Sequence, residues 1–445
     1  MHKRKEGEEP PQNWVRSLKI TQTAGSLFLA FLKKHLGFVS DGDVLAESLA
    51  GRLGEFKGPL MKVAQILATV PNVLPDSYMR AFLRLQSHAP PMGSLFVKRR
   101  MAQELGAQWR TFFSIFDEKS TFAASLGQVH YAEDLDSHPL ALKLQYPRME
   151  DVMTSDLKQL RLFCKLYETY AGALITHNIQ KEIEDRLREE LDYKREARHM
   201  DLFQQLLAPL SGVRVPRVIP KLSTSKLLAM TWCSGKPFLQ CQEAPQQIRE
   251  CIASRLFQAW WLPFYRAGML HGDPHMGNYT ISPHEDNTLN ILDFGCVRIF
   301  EPLVVEGVID LFKAIQNKQP LRTHEAYEKL GFQNLTPQLT DALTRWAMFL
   351  YGPLVEDRVR PIDWDFSGHL GKAVAVDVHQ ALRESGGVAP PRAFVLLDRA
   401  AVGIGSALIH LRVSLNWHRL FLNLAEGACA HHITQTQQEL GVTAS

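Results

Sequence analysis

The sequence predicts an α+β fold in two lobes, sheet-rich first and helical second, with a helical extension before them and a helical region after them. Three observations predict it. Strand-like alternation runs through residues 125–131 and 140–145, and strands are again read at 213–219 and 226–232. From residue 246 onward apolar residues recur at helical spacing. Where the two patterns meet stand two loops, His271-Gly272-Asp273-Pro274-His275-Met276-Gly277-Asn278 and Ile291-Leu292-Asp293-Phe294-Gly295. Phosphotransfer needs an aspartate near the attacking hydroxyl, an asparagine on a metal ion and a second aspartate bridging that metal to phosphates. Asp273, Asn278 and Asp293 supply these in order, so the predicted fold is two-lobed and protein-kinase-like.

The elements follow in order. Residues 1–92 read as a helical extension: a helix over 12–36, a second over 43–70 broken at Gly58-Pro59, and a third over 78–86. The first carries Trp14, Leu18, Phe28 and Phe31 beside Arg16, Lys19, Lys33 and Lys34, a pattern suited to a membrane surface or to docking on the protein's own core, the second being favoured. Pro90-Pro91-Met92-Gly93 belongs to a linker. Residues 93–232 form the expected N-lobe, with a helix over 96–105, the four strands and a long charged helix over 179–207. Residues 233–320 hold the C-lobe core, where a helix over 247–267 delivers His271, and residues 321–445 form the C-terminal helical region.

Composition narrows the classes. With 45% hydrophobic and 22% charged residues in 445, the chain buries a sizeable core, and a net charge of +3 argues for no nucleic-acid partner. Six cysteines without a C-x-x-C spacing suggest neither a zinc site nor a disulfide framework, which fits a reducing cytosol. The basic start runs into residues 6–11 rather than an apolar segment, so no signal peptide is expected. The apolar stretch 400–409 is bracketed by Asp398, Arg399 and Arg412, and no transmembrane helix is expected.

Around the two loops the remaining site residues are assigned by chemistry. Lys143 in Leu140-Ala141-Leu142-Lys143 stands where a strand lysine grips the α- and β-phosphates, as a point charge does. Its partner is expected on the following helix, with Glu196 the best candidate. Asp273 is the expected base, and Asn278 and Asp293 the Mg²⁺ ligands. The loop Ala123-Ala124-Ser125-Leu126-Gly127 replaces the usual glycine-rich phosphate cover; its methyl groups restrict close backbone approach, so it holds ATP or ADP differently. Met230 and Trp232 flank the expected adenine hinge, and His275 is expected to support the loop.

These motifs together resemble the UbiB/AarF-type atypical kinases, the bacterial relatives of the coenzyme Q-linked kinase-like proteins, over roughly residues 45–410. The resemblance rests on the alanine-rich loop, Lys143-Leu144-Gln145-Tyr146-Pro147, Glu190-Leu191-Asp192-Tyr193, both catalytic loops, the block from Pro391-Arg392 to Gly405, and Lys62-Val63-Ala64-Gln65, which matches that family's K-x-G-Q signature. It implies that Lys62 and Gln65 fold over the nucleotide cleft where a peptide kinase leaves room for substrate, with Glu190 and Asp192 as partners of that helix. Ala64, Phe122 and Met276 depart from the family pattern.

The expected function is an atypical kinase or ATPase using ATP or ADP with Mg²⁺ in support of ubiquinone, or more broadly isoprenoid quinone and lipid, metabolism. It is expected in the cytoplasm or peripherally on an anionic membrane surface, beside isoprenoid-pathway proteins. The alternatives are a small-molecule phosphotransferase of the aminoglycoside or choline kinase type, and a non-catalytic nucleotide-binding scaffold. No A-P-E-like segment follows Asp293, which argues against peptide docking. The phosphoryl acceptor and the oligomeric state are left open.

Overall fold

A computed structural model describes residues 92–123, 126–151, 187–362 and 390–444, with runs of one to three residues between 153 and 185 and between 374 and 384. The three helices expected before residue 92, with Lys62 and Gln65, and the loop residues Ala124 and Ser125 lie outside the described residues. The chain divides into two compact units; the described parts of the first fall within 92–195 and 218–232, those of the second within 196–217 and 233–444.

The first unit opens with α1 (Ser94–Leu105), followed by β1 (Ile115–Phe116), β2 (Phe122–Ala123), β3 (Gly127–Glu133) and β4 (Pro139–Gln145). β3 and β4 pair antiparallel over their full length, Val129 opposite Lys143, across a turn in which the Asp134 carboxylate accepts from the Asp136 and His138 N–H groups. Period-two burial along β4 puts Leu140, Leu142 and Leu144 into one core with Val97 and Met101 of α1, Trp109 and Phe113. That inward face is why the register is fixed: a one-residue slip would turn the three leucines out and Ala141 and Lys143 in.

His130 is fully buried in β3, stacked on Phe116, with Nδ1 against the Asp117 carbonyl and Nε2 against Gln128 Nε2, both at 2.8 Å. Burial pushes its pKa below the ordinary 6.5, although the Asp117 carbonyl pulls the other way. The unfolded chain therefore binds the proton more readily, and the first unit loses stability as pH falls through that ordinary value. Urea unfolding should show a midpoint that is flat above about pH 7 and declines toward about pH 5, with a smaller decline in His130→Gln. Equal declines in the two proteins would contradict this.

Residues 187–190 are helical, Leu191 and Asp192 leave the helix, and α2 (Tyr193–Leu207) begins anew. This corrects the single helix expected over 179–207. The physical reason is Asp192, whose Oδ1 accepts from the Arg195 N–H at 3.0 Å and caps the new helix start. The strand expected over 213–219 is also shorter: only β5 (Val213–Arg214) forms, because Pro216 has no N–H to donate to a ladder. β6 (Leu227–Thr231) then returns to the first unit and pairs antiparallel with β4, giving the order β1-β3-β4-β6 with β2 on β3.

The second unit continues with β7 (Lys236–Pro237) and α3 (Gln246–Ala267), a helix with eleven buried residues. It ends at Gly268, whose left-handed φ of 64° lets its N–H reach the Phe264 carbonyl at 2.8 Å and turns the chain into β8 (Met269–His271). β9 (Tyr279–Ser282), β10 (Thr288–Ile291) and β11 (Val297–Ile299) follow. β5 joins this unit by parallel pairing with β10. Next come α4 (Pro302–Gln316), α5 (Pro320–Lys329) and α6 (Pro337–Val355), each with proline in its first turn, where a missing N–H costs nothing. After β12 (Arg360–Pro361) come α7 (Arg392–Leu411), β13 (Ser414–Leu415), α8 (Trp417–Ala425) and α9 (Ala430–Glu439).

α7 is, among the described residues, the one helix long and apolar enough to cross a membrane by length and composition. It buries Leu397, Ala400, Ile404, Ala407, Leu408 and Leu411 within the second unit, as a core-flanking helix does.

Candidate active site

In the second unit two antiparallel pairings bring the catalytic loops together. β8 pairs with β11, His271 opposite Val297, and β9 pairs with β10, Tyr279 opposite Ile291. The loop 272–278 leaves β8 and enters β9, while the loop 292–296 leaves β10 and enters β11. The Leu292 N–H donates to the Asn278 carbonyl at 2.9 Å and ties the second loop to the first.

His271 is the staple between them. Its Nδ1 accepts from the Asp273 N–H at 3.3 Å, which leaves the proton on Nε2, and Nε2 donates to the Asp293 carbonyl. The ring is buried against Trp260, Phe203 and Phe294. Sequence reasoning treated His271 as part of the motif without this role. His275, expected to support the loop, accepts at Nδ1 from the Gly277 N–H at 3.1 Å and caps the short turn that carries Asn278.

The oxygens suit a hard cation. Asp273, Asn278 and Asp293 are all half-buried rather than sealed in the core. The Asn278 amide donates through Nδ2 to the Asp273 main-chain carbonyl at 3.3 Å, which turns its acceptor Oδ1 to other uses. Asp293 is oriented through Oδ1 by the Gly295 N–H at 2.9 Å. Two oxygen ligands of this type, one carboxylate and one amide, fit Mg²⁺, which takes one or two protein oxygens and fills its octahedron with water and phosphate.

α2 anchors the second loop from below. His199 Nδ1 lies 3.2 Å from the Phe294 carbonyl, and the Phe203 ring packs on Phe294 at 5.1 Å. Glu196, His199 and Phe203 lie three and seven residues apart, hence on one face of the helix, and Glu196 is only 2% exposed. His199 and Phe203 were missed by sequence reasoning; their signal was a helical stripe facing an aromatic pair far along the chain.

In the first unit Lys143 is half-buried at mid-strand, and its Nζ lies 5.4 Å from the centre of the buried Tyr193 ring, a cation–π distance. A Cβ at Gly127 would collide with the Leu144 carbonyl and lie 2.8 Å from the Tyr193 hydroxyl, so this glycine is required by close packing. Tyr193 thus underlies both the loop end and the lysine, a role the sequence did not signal. Ala123 pairs with Gln128 at the other end of the loop.

At the expected hinge, Met230 is buried and Trp232 half-buried. The Trp232 N–H donates to the Pro139 carbonyl at 2.9 Å, so that donor serves the sheet. Its indole stacks on Phe122 and meets Tyr131 edge-on. Phe122 is largely exposed. Glu190 ends the short helical turn before α2, and Asp192 is the cap of α2 already described.

α7 reaches the first catalytic loop. A Cβ on Gly403 would collide with the Pro274 ring, so a glycine there lets the helix backbone lie against the His-Gly-Asp-Pro turn.

Residues 84–327 match the profile of the ABC1 atypical kinase-like domain. The chain is 28% identical over 299 residues to the mitochondrial atypical kinase coq-8 of Caenorhabditis elegans, covering 66% of this chain and 39% of that protein. It is also 28% identical to the mitochondrial atypical kinase COQ8 of Saccharomyces cerevisiae, covering 66% and 58%. The match spans 39% to 58% of the length of these two relatives. The solved structure of the Rv3197–erythromycin complex from Mycobacterium tuberculosis superposes with a TM-score of 0.61 at 24% identity, over 94% of this chain and 99% of that one. That likeness bears on the fold.

Proposed function

Starting from the premise that the chain belongs to the ABC1 atypical kinase-like family, we propose that it is a Mg-nucleotide-dependent atypical kinase or ATPase that supports ubiquinone or related isoprenoid quinone metabolism. The observation that carries this reading is the His271 staple, which holds Asp273 and Asp293 on one scaffold with Asn278 between them in the chain. A scaffold protein that merely binds nucleotide has no need of all three oxygens in a braced arrangement.

In this reading Asn278 and Asp293 hold Mg²⁺, which when bound neutralises charge on the phosphates. Lys143 orients the α- and β-phosphates, with Tyr193 fixing its stem, and Glu196 is the partner of Lys143. Asp273 accepts the proton of the attacking hydroxyl or water. The backbone around Met230 and Trp232 receives adenine, with Phe122 and Tyr131 extending an aromatic wall from the Trp232 ring. The loop of Ala123, Ala124, Ser125 and Gly127 covers the phosphates, and Lys62 and Gln65, with Glu190 and Asp192, close the substrate side. The protein acts in the cytoplasm or at an anionic membrane surface.

The test is Mg-ATP turnover by the purified protein with and without anionic liposomes, using Asp273→Asn as the blank. Liposome-stimulated phosphate release that the variant lacks supports a membrane-coupled ATPase. Saturable turnover on a soluble alcohol or aminoglycoside, unaffected by liposomes, replaces this reading with a small-molecule phosphotransferase.

A further inference from the structure

The second unit carries a deep, partly open cavity of about 550 Å³ that the catalytic reading does not use. α3, α4, α6, α7 and α8 wall it, and its aromatic lining comes chiefly from Phe257, Trp261, Trp346, Phe349, Phe394 and Phe421. Well-packed protein interiors leave few voids larger than a water molecule, and a cavity of this size falls in the range of small-molecule sites.

Two features of α7 point to an occupant. Gly405 lines the cavity, and a Cβ built on it meets no atom within 4 Å. Its backbone is ordinary right-handed helix, so nothing in the conformation asks for glycine, and alanine would favour the helix. The absence of a side chain leaves the space at this point of the cavity open. Asp398, seven residues or about two turns earlier, is, among the described residues, the one acidic or basic side chain lining the cavity; its Oδ1 accepts the Trp346 indole N–H. Ser406, Tyr265 and Tyr351 also line it, and a largely apolar chamber with a few hydrogen-bonding groups orients a ligand by those groups and holds the rest by burial.

We propose that this cavity is a binding site for a neutral single-chain lipid ending in a hydroxyl, the chain lying among the aromatic walls and the hydroxyl bonding to the Asp398 carboxyl. A hydroxyl both donates and accepts, so it satisfies Asp398 whichever way the carboxyl is protonated, and burial does push that carboxyl's pKa up. Val402 lines the cavity and is 45% exposed, and Val395, one heptad earlier on the same face of α7, is 47% exposed. This apolar strip gives a lipid chain a path in. Gly403 and Gly405 are two residues apart, about 200° around the helix. The site therefore occupies one side of α7 while the catalytic loop at Pro274 occupies the other. The inference does not depend on the nucleotide chemistry, because neither the cavity nor the test involves it.

The test uses the full chain and hexadecanol brominated at its far end, delivered from cyclodextrin. Bromine quenches indole fluorescence at close range, and Trp261 and Trp346 line the cavity. The expected result is saturable quenching that unlabelled hexadecanol reverses and hexadecane reverses poorly. A Cβ at position 405 meets no neighbour, so Gly405→Leu should project into the cavity and abolish the saturable phase while the protein still folds. Absence of saturable quenching in the unsubstituted protein overturns the proposal, as does equal quenching in a folded Gly405→Leu protein. Should that variant fail to fold, the competition decides: reversal by hexadecane as effective as by hexadecanol overturns the role of Asp398.

Discussion

Asp273→Asn is expected to reduce nucleotide turnover by about a hundred- to ten-thousand-fold, the range for a lost general base, while leaving the fold intact. The main-chain atoms of Asp273, not its carboxylate, build most of the loop. Its main-chain N–H donates to His271, and its main-chain carbonyl accepts from the Asn278 amide. Neither bond involves the carboxylate. The side chain contributes one acceptor, Oδ1, to the His275 N–H at 3.3 Å, and an asparagine oxygen can take that bond. What asparagine cannot do is take a proton. Phosphate release and a thermal-shift titration with Mg-ATP separate the two effects: turnover should disappear while nucleotide still raises the melting temperature. Undiminished turnover would remove Asp273 as the base and return weight to the scaffold alternative.

The second large effect is on stability. Glu196→Ala should destabilise the protein by at most about 3 kcal/mol, because the Glu196 carboxylate is buried while its proposed partner Lys143 is half-buried. A glutamate that is 2% exposed is almost never without a partner. Its place in the first turn of α2 adds a smaller favourable interaction with the helix N-terminus. If that partner is Lys143, as proposed, truncating both residues should cost less than the sum of the two single changes. Urea unfolding of the four proteins measures the coupling. A change near zero for Glu196→Ala would exclude a buried pair, and strict additivity would assign its partner elsewhere.

The two loops of the candidate site could be placed from the sequence because the chemistry expected of them fixes both residue type and spacing. β3 and β4 were legible because alternation survives wherever one sheet face is buried, as with Leu140, Leu142 and Leu144. α3 was legible from its apolar period, with bounds correct to one residue. The break before α2 was not, because Asp192 sits in a run of charged residues where one more aspartate carries no distinct pattern. The shortening of the strand at Val213–Arg214 was signalled by Pro216 but overridden by the valine and isoleucine around it.

Long-range packing was the least legible part. The contacts of His199 and Phe203 with Phe294 join residues some ninety positions apart, and that of Gly403 with Pro274 joins others still farther apart. No local periodicity encodes such pairs. Likewise, nothing in the sequence around Lys143 points to Tyr193, because the contact depends on where the helix restarts after Asp192.

The most direct measurement is calorimetric titration of ATP and ADP into the purified protein and into Asp293→Asn, each with Mg²⁺ and with chelator. The substitution keeps an Oδ1 for the Gly295 N–H, leaves the main-chain bond to His271 untouched and removes the carboxylate's negative charge. The account predicts Mg-dependent nucleotide binding in the unsubstituted protein and none in Asp293→Asn. Equal Mg-nucleotide affinity in the two proteins would contradict the metal site and, with it, the phosphotransfer reading.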